Sequence, residues 1–177
     1  MSEKLAVPVS NLDHSAGPPH GAVTLVEYGD FECPACAAVE PMIVELREKH
    51  EHNLRFVFRH FPQEQVHLHA LMAAEAAEAA GAQGKFWEMH DLLYQHSKHL
   101  ERARLDGFAR QLGLDVPRFI SEMDDEVYRQ RVREHQEGGR QSNVHGTPTF
   151  FVNGAMADLR GGLQDLFDLV AARAAGR

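Results

Sequence analysis

Phe31-Glu32-Cys33-Pro34-Ala35-Cys36 carries both cysteines of the 177-residue chain, and its reading decides the fold. Downstream, Val39, Met42, Ile43 and Leu46 fall at i, i+3, i+4 and i+7, which is one face of an amphipathic helix. Pro34 then takes the first helical position, where a missing N–H costs nothing. Cys33 is left at the helix N-terminus, beside first-turn N–H groups and the positive end of the dipole. That environment favours thiolate over thiol. Cys36 lies one turn in, its Cα about 5 Å from that of Cys33 by helix geometry, within the range a disulfide accepts. One thiol is activated and the second can resolve it, which makes a dithiol redox site. The competing reading is half of a zinc site. Zinc needs four ligands, or three and a water. The chain has no second Cys-x-x-Cys, and none of its 12 histidines follows at finger spacing. No bound metal or cofactor is expected. The redox group is the Cys33–Cys36 pair itself.

Composition narrows the field. Apolar residues make up 44% of the chain, enough for a proper core, and no run reaches the length of a membrane span. A net charge of −8 without a basic block argues against nucleic acid as a partner. The N-terminus, Met1 to Pro8, lacks the basic and apolar regions of a secretory signal. The expected location is therefore cytoplasmic, where disulfides are seldom structural and usually catalytic.

Taken in order, residues 4–9 alternate Leu5, Val7 and Val9 and predict a short edge strand, the place where Pro8 is tolerated. Asn11 to Gly21 reads as a loop. Ala22 to Tyr28 is apolar on both faces, as a covered central strand should be. The helix from Pro34 runs to about Glu51 with a kink at Pro41, and Leu54 to His60 is the next strand, completing a parallel βαβ unit. From about Gln65 to Gln141 the pattern is helical. Four helices are predicted there: Leu68–Ala80, one marked by Phe86 to Leu93, Leu105–Leu112, and one capped by Asp115 with Phe119, Met123 and Val127 on one face. The Glu-Ala repeats from Ala73 to Ala80 read as a solvated face. Strand Thr149–Val152 leads into Asn153-Gly154, the favoured two-residue hairpin turn. An antiparallel strand through about Leu159 and a closing helix, about Leu163 to Ala174, follow. The expected class is α/β: a central mixed sheet flanked by helices, residues 1–64 and 142–177, with an all-helical subdomain inserted at 65–141.

This order, with Cys-x-x-Cys at the first helix start, resembles the thioredoxin fold of the DsbA-like disulfide oxidoreductases. Gly146-Thr147-Pro148-Thr149-Phe150-Phe151-Val152-Asn153-Gly154 resembles the family's second signature. Asp13-His14, Val23 to Pro34, Phe56 to Pro62 and Phe86 to His90 are similar to stand-alone and antiporter-fused members. The resemblance spans nearly the whole chain. It implies a cis Thr147–Pro148 bond on a loop facing the cysteines, with Thr147 pairing a substrate segment through its backbone. It implies also that Pro34, Ala35 and Gly146 border the substrate. Relatives often carry an aromatic or a histidine where Ala35 stands, so reduction potential and substrate preference do not follow from it.

Cys33 is expected as the attacking thiolate and Cys36 as the resolving thiol. Glu27 lies six residues before Cys33 in a strand read as buried, where a carboxylate is costly unless paired or neutral. The thioredoxin fold often has an acid at this offset that handles protons for the resolving cysteine; a Glu at an exposed strand end is the other reading. His60 and His145 stand as site candidates beside a structural reading. His67 and His69 read as surface or helix-start residues, and Phe31, Phe61 and Trp87 as core aromatics. The expected function is thiol-disulfide exchange with protein or small-molecule thiols and disulfides, recycled by glutathione or a thioredoxin-type reductant, without nucleic acid or membrane. A redox-switched binding or chaperone protein is one alternative. A glutathione-dependent transferase or isomerase is another, against which Cys36 speaks.

Overall fold

The strand Val23–Gly29 is buried at every position but Thr24, so it has to be covered on both sides and sits in the middle of the sheet. The computed structural model describes residues 3–176. In chain order the elements are β1 (His14–Ala16), β2 (Val23–Gly29), α1 (Pro34–Lys49), β3 (Leu54–His60), α2 (Ala70–Gly81), α3 (Phe86–Gln95), α4 (Arg102–Gln111), α5 (Val116–Asp124), α6 (Arg129–Gln141), β4 (Thr149–Val152), β5 (Ala155–Met156) and α7 (Leu163–Ala174). The strand order is β1-β3-β2-β4-β5, with β1 antiparallel to β3, β4 to β2 and β5 to β4. β2 and β3 are neighbours joined through α1. This is the mixed sheet and helical insertion expected of a thioredoxin fold.

The chain divides into two compact units. Of the described residues, the first comprises 3–29, 38–59 and 137–176, the second Asp30–Ala37 and His60–Gln136. In the first, Leu25, Tyr28, Ile43, Leu46, Phe56, Phe58, Phe150 and Phe151 are almost wholly excluded from water. Leu166 and Val170 bury one side of α7. The β4–β5 turn holds both Asn153 (φ 50°) and Gly154 (φ 81°) in the left-handed region, the signature of a type I′ hairpin. Asn153 also accepts the Thr24 N–H on its side-chain oxygen at 2.7 Å.

Three expectations for this unit need correction. Residues 4–9 form no strand. Lys4 makes an isolated bridge to Ala155, and the Val7 and Pro8 carbonyls accept hydrogen bonds from the Arg59 guanidinium. The sheet edge belongs to His14–Ala16, inside the stretch read as a loop. The last strand, Ala155–Met156, is two residues long, and its pairing with β4 ends after Ala157 gives its N–H to the Phe150 carbonyl at 2.8 Å.

In the second unit α2 is buried on nearly every side, including Glu75 and Glu78. These carboxylates are not a solvated face. Glu75 meets Arg129 at 3.1 and 3.3 Å, and Glu78 holds both His60 and Arg131 at 2.8 Å. Buried carboxylates need such partners. The insertion has five helices among the described residues, not four. α5 stops at Asp124, Glu126 takes a positive φ of 53°, and Val127, expected on the buried face, is exposed. A separate helix, α6, then runs through Gly138-Gly139. The Asp115 cap is as read: its side chain accepts the Arg118 N–H at 3.1 Å.

Candidate functional site

α1 begins at Pro34, which places Cys33 at the position just before the first helical residue. The Cys33 carbonyl accepts the Ala37 N–H at 3.1 Å, and the Cys33 N–H donates to the Asp30 carbonyl at 3.1 Å. Cys33 is therefore the helix N-cap, next to first-turn N–H groups that have no intrahelical acceptor. Cys33 is 5% exposed and Cys36 wholly buried, whereas Pro34 and Ala35 between them are exposed. The turn thus presents two small apolar residues to solvent over two sheltered sulfurs.

What holds this turn was not read from the sequence. The three residues before Cys33 are each gripped by side chains of the second unit. The buried Asp30 carboxylate accepts the Glu32 N–H at 2.8 Å and the Gln63 N–H at 2.9 Å, and lies 2.7 Å from His67 Nδ1. Phe31, 1% exposed, packs its ring against those of His60, His90 and Tyr94 at centroid distances of 5.9, 5.6 and 5.0 Å. Glu32 accepts the His69 N–H at 2.7 Å and meets His69 Nδ1 at 2.9 Å. His67 and His69, expected at the surface, are only partly exposed, with their ring nitrogens turned to acids. His69 is also the N-cap of α2, as a helix-start residue should be. The signal present in the chain is a matched spacing, Asp-x-Glu at 30–32 and His-x-His at 67–69.

His60 is buried. Its backbone N–H donates to His135 Nδ1 at 3.2 Å, its Nε2 meets Glu78, and its ring stacks on that of His135 at 5.4 Å. His60, Glu78 and His135 bring three donor atoms within 4.8 Å of one another. They fit an internal hydrogen-bond network better than a metal, because Arg131 puts a positive charge on the same carboxylate. His145 is exposed.

The other expected residues lie in the first unit. Glu27 is fully buried in β2, opposite Phe150 of β4, so the exposed-end reading does not hold. Gly146, Thr147 and Pro148 are half-buried, the Thr147–Pro148 bond is cis, and Thr149 Oγ1 donates to the Gly146 carbonyl at 2.7 Å. Phe61 is buried and Trp87 partly so. Among the described residues no helix is long and apolar enough to cross a membrane.

The Thioredoxin_4 family model, described as thioredoxin, matches residues 10–168. A Na(+)/H(+) antiporter NhaA 1 of Salinispora arenicola is 52% identical over 151 residues, covering 85% of this chain and 23% of the antiporter. Its counterpart from Mycolicibacterium gilvum is 40% identical over 179 residues, 98% of this chain and 28% of that one. The chain thus spans about a quarter of the length of these curated relatives. Among solved structures, oxidised BdbD of Bacillus subtilis superposes with a TM-score of 0.85 at 18% identity, covering 99% of this chain and 100% of that one. A thioredoxin-like oxidoreductase of Silicibacter pomeroyi gives 0.81 at 27% identity, with 95% of both chains covered. With the helix-start cysteine pair, the inserted helices and a family match over most of its length, the chain belongs to the thioredoxin family and has the fold of its DsbA-like thiol-disulfide oxidoreductases.

Proposed function

We propose that this chain is a thiol-disulfide oxidoreductase working through Cys33 and Cys36. The observation that carries the reading is Cys33 at the N-cap of α1 with Cys36 one turn further on. In the reductive direction the Cys33 thiolate attacks one sulfur of a substrate disulfide. A Cys33–substrate bond forms and the other substrate sulfur leaves as a thiolate that takes up a proton. Cys36, once deprotonated, attacks Cys33 and expels the second substrate thiol. Two electrons have then passed to the substrate and the Cys33–Cys36 disulfide has formed; oxidation of a dithiol runs the same steps backwards. Glu27 is assigned the proton of Cys36, for which its burial speaks. Thr147 and Pro148, with Gly146, form the substrate-pairing loop, and Pro34 and Ala35 border the substrate from the exposed turn.

A polypeptide substrate is favoured by Val66 and Leu68, which are 71% and 84% exposed and alternate with His67 and His69. Large apolar side chains held out in water suit an extended protein segment. Glutathione or a thioredoxin-type reductant is the expected recycling partner, and a reducing, cytoplasmic setting fits a chain whose two cysteines both lie in the redox motif. The thioredoxin-like portion is assigned to residues 1–64 and 142–177 and the insertion to 65–141. The relatives' names speak of sodium–proton antiport; the redox reading concerns the quarter of their length that this chain matches. The test is equilibration in glutathione buffers with insulin reduction assayed alongside. A reversible Cys33–Cys36 disulfide and turnover dependent on both cysteines are expected. A pair that never oxidises, or turnover indifferent to Cys33→Ser, would overturn the reading.

A further inference from the structure

We infer that His67 and His69 are positioning residues for the Cys33 thiolate, acting through Asp30 and Glu32; the inference rests on the redox reading above. Asp30 and Glu32 lie three and one residues before Cys33. Two carboxylates so close in the chain to a thiolate oppose its charge. Each is instead engaged by an imidazole, Asp30 by His67 at 2.7 Å and Glu32 by His69 at 2.9 Å. A carboxylate oxygen accepts, so Nδ1 of each ring donates. The same carboxylates fix backbone. Asp30 draws in the Glu32 and Gln63 N–H groups, its own carbonyl takes the Cys33 N–H, and Glu32 takes the His69 N–H. The two pairs therefore form a clasp between segments 30–32 and 63–69, with Phe31 inserted between them into the ring cluster of His60, His90 and Tyr94.

A clasp of this kind acts on Cys33 in two ways that point in one direction. It keeps the 30–33 turn in the geometry that sets Cys33 against the N-terminus of α1. It also draws the field of two nearby carboxylates toward the histidines and away from the sulfur. Without it the thiolate is less stabilised. The reduced form of the cysteine pair then loses stability relative to the disulfide, and the pair becomes more reducing.

The test uses the whole chain with His67→Ala, His69→Ala, the double variant, and His67→Asn with His69→Asn. Asparagine keeps an N–H donor close to where Nδ1 stands. Two quantities are read: the pH midpoint of Cys33 alkylation by iodoacetamide, and the Cys33–Cys36 equilibrium constant against glutathione. In the double alanine variant the midpoint rises and the equilibrium moves about tenfold toward the disulfide, equivalent to about 30 mV. Each single alanine variant gives about a threefold change, and the asparagine variants return most of it. Circular dichroism establishes which variants are folded. If the double variant fails to fold, the single variants, each with one pair intact, carry the test.

Folded alanine variants that leave midpoint and equilibrium within about twofold of the parent would make the clasp structural only and overturn the inference. Asparagine variants as impaired as alanine would also overturn it, since the donated hydrogen bond would then not be what matters. A parent chain that forms no reversible disulfide with glutathione would instead overturn the redox reading, and this inference with it.

Discussion

Removing Asp13 is a test of how the N-terminal segment is fastened to the sheet. Arg59 lies in β3 with a side chain only 3% exposed, and Asp13 opposite it is 6% exposed. The pair is bidentate, Nε to Oδ1 at 2.8 Å and Nη2 to Oδ2 at 3.0 Å. The guanidinium also donates to the Val7 and Pro8 carbonyls and to the Tyr28 hydroxyl. Burial by itself pulls the Arg59 pKa down, but its bonds to Asp13 and Tyr28 outweigh that and the net shift is upward. Asp13→Ala takes away the main counterweight and leaves a buried cation. Two hydrogen bonds to a charged group are together worth about 3–6 kcal/mol, and breaking one side of a buried pair costs about 3–5 kcal/mol. The two figures agree. At about 2–4 °C per kcal/mol for a chain of this size, Tm should fall by roughly 10 °C.

Urea denaturation and calorimetry would measure it, with Arg59→Met and the Asp13→Ala/Arg59→Met double variant closing the cycle. The double variant should recover part of the loss, because neither buried charge is then left alone. It should keep a deficit of about 1–3 kcal/mol from the Val7 and Pro8 carbonyls and the Tyr28 hydroxyl, which lose their donor. An Asp13→Ala loss below about 1 kcal/mol, the range of solvent-exposed pairs, would refute this account of the fastening.

Other outcomes can be checked separately. Cys33→Ser should abolish disulfide exchange, and Cys36→Ser should trap a Cys33 mixed disulfide visible by mass spectrometry. Faster alkylation of Cys36 than of Cys33 would reverse the two roles. Gly17→Ala should cost about 3 kcal/mol in urea melts, since Gly17 has φ 86° and a Cβ there would stand 2.2 Å from the Leu54 carbonyl oxygen. Its hydrogen-bonding with Arg133 holds Glu64 below the ordinary value of 4.5, so the unfolded chain binds the proton more readily. That stability is present above about pH 4.5 and is lost as pH falls through the folded-state value. Burial pushes Glu75 the other way, above 4.5, and its contribution is present at low pH and lost as pH rises through the folded-state value. Urea midpoints from about pH 3 to 6 should therefore show Glu64→Gln flattening the rise of stability with pH and Glu75→Gln steepening it.

The sequence by itself determined whatever depends on neighbours a few residues apart. Apolar density located β2, β3 and β4, Pro34 marked the start of α1, Asn153-Gly154 gave the hairpin turn, and Asp115 capped α5. Spacing also placed Cys33 and Cys36 on one turn, because the helix rise is fixed whatever surrounds it. Tertiary structure decided where partners meet across long separations. Residues 4–9 alternate as a strand should, yet their Val7 and Pro8 carbonyls are taken by Arg59, about fifty residues on, and His14–Ala16 has the edge. Glu75 and Glu78 look like a solvated face until Arg129, Arg131 and His60 arrive from other elements and make their burial affordable. Asp30 and Glu32 meet His67 and His69 across 37 residues. A charge enters the interior only with its counter-charge, and chain folding, not local pattern, determines which counter-charge is at hand.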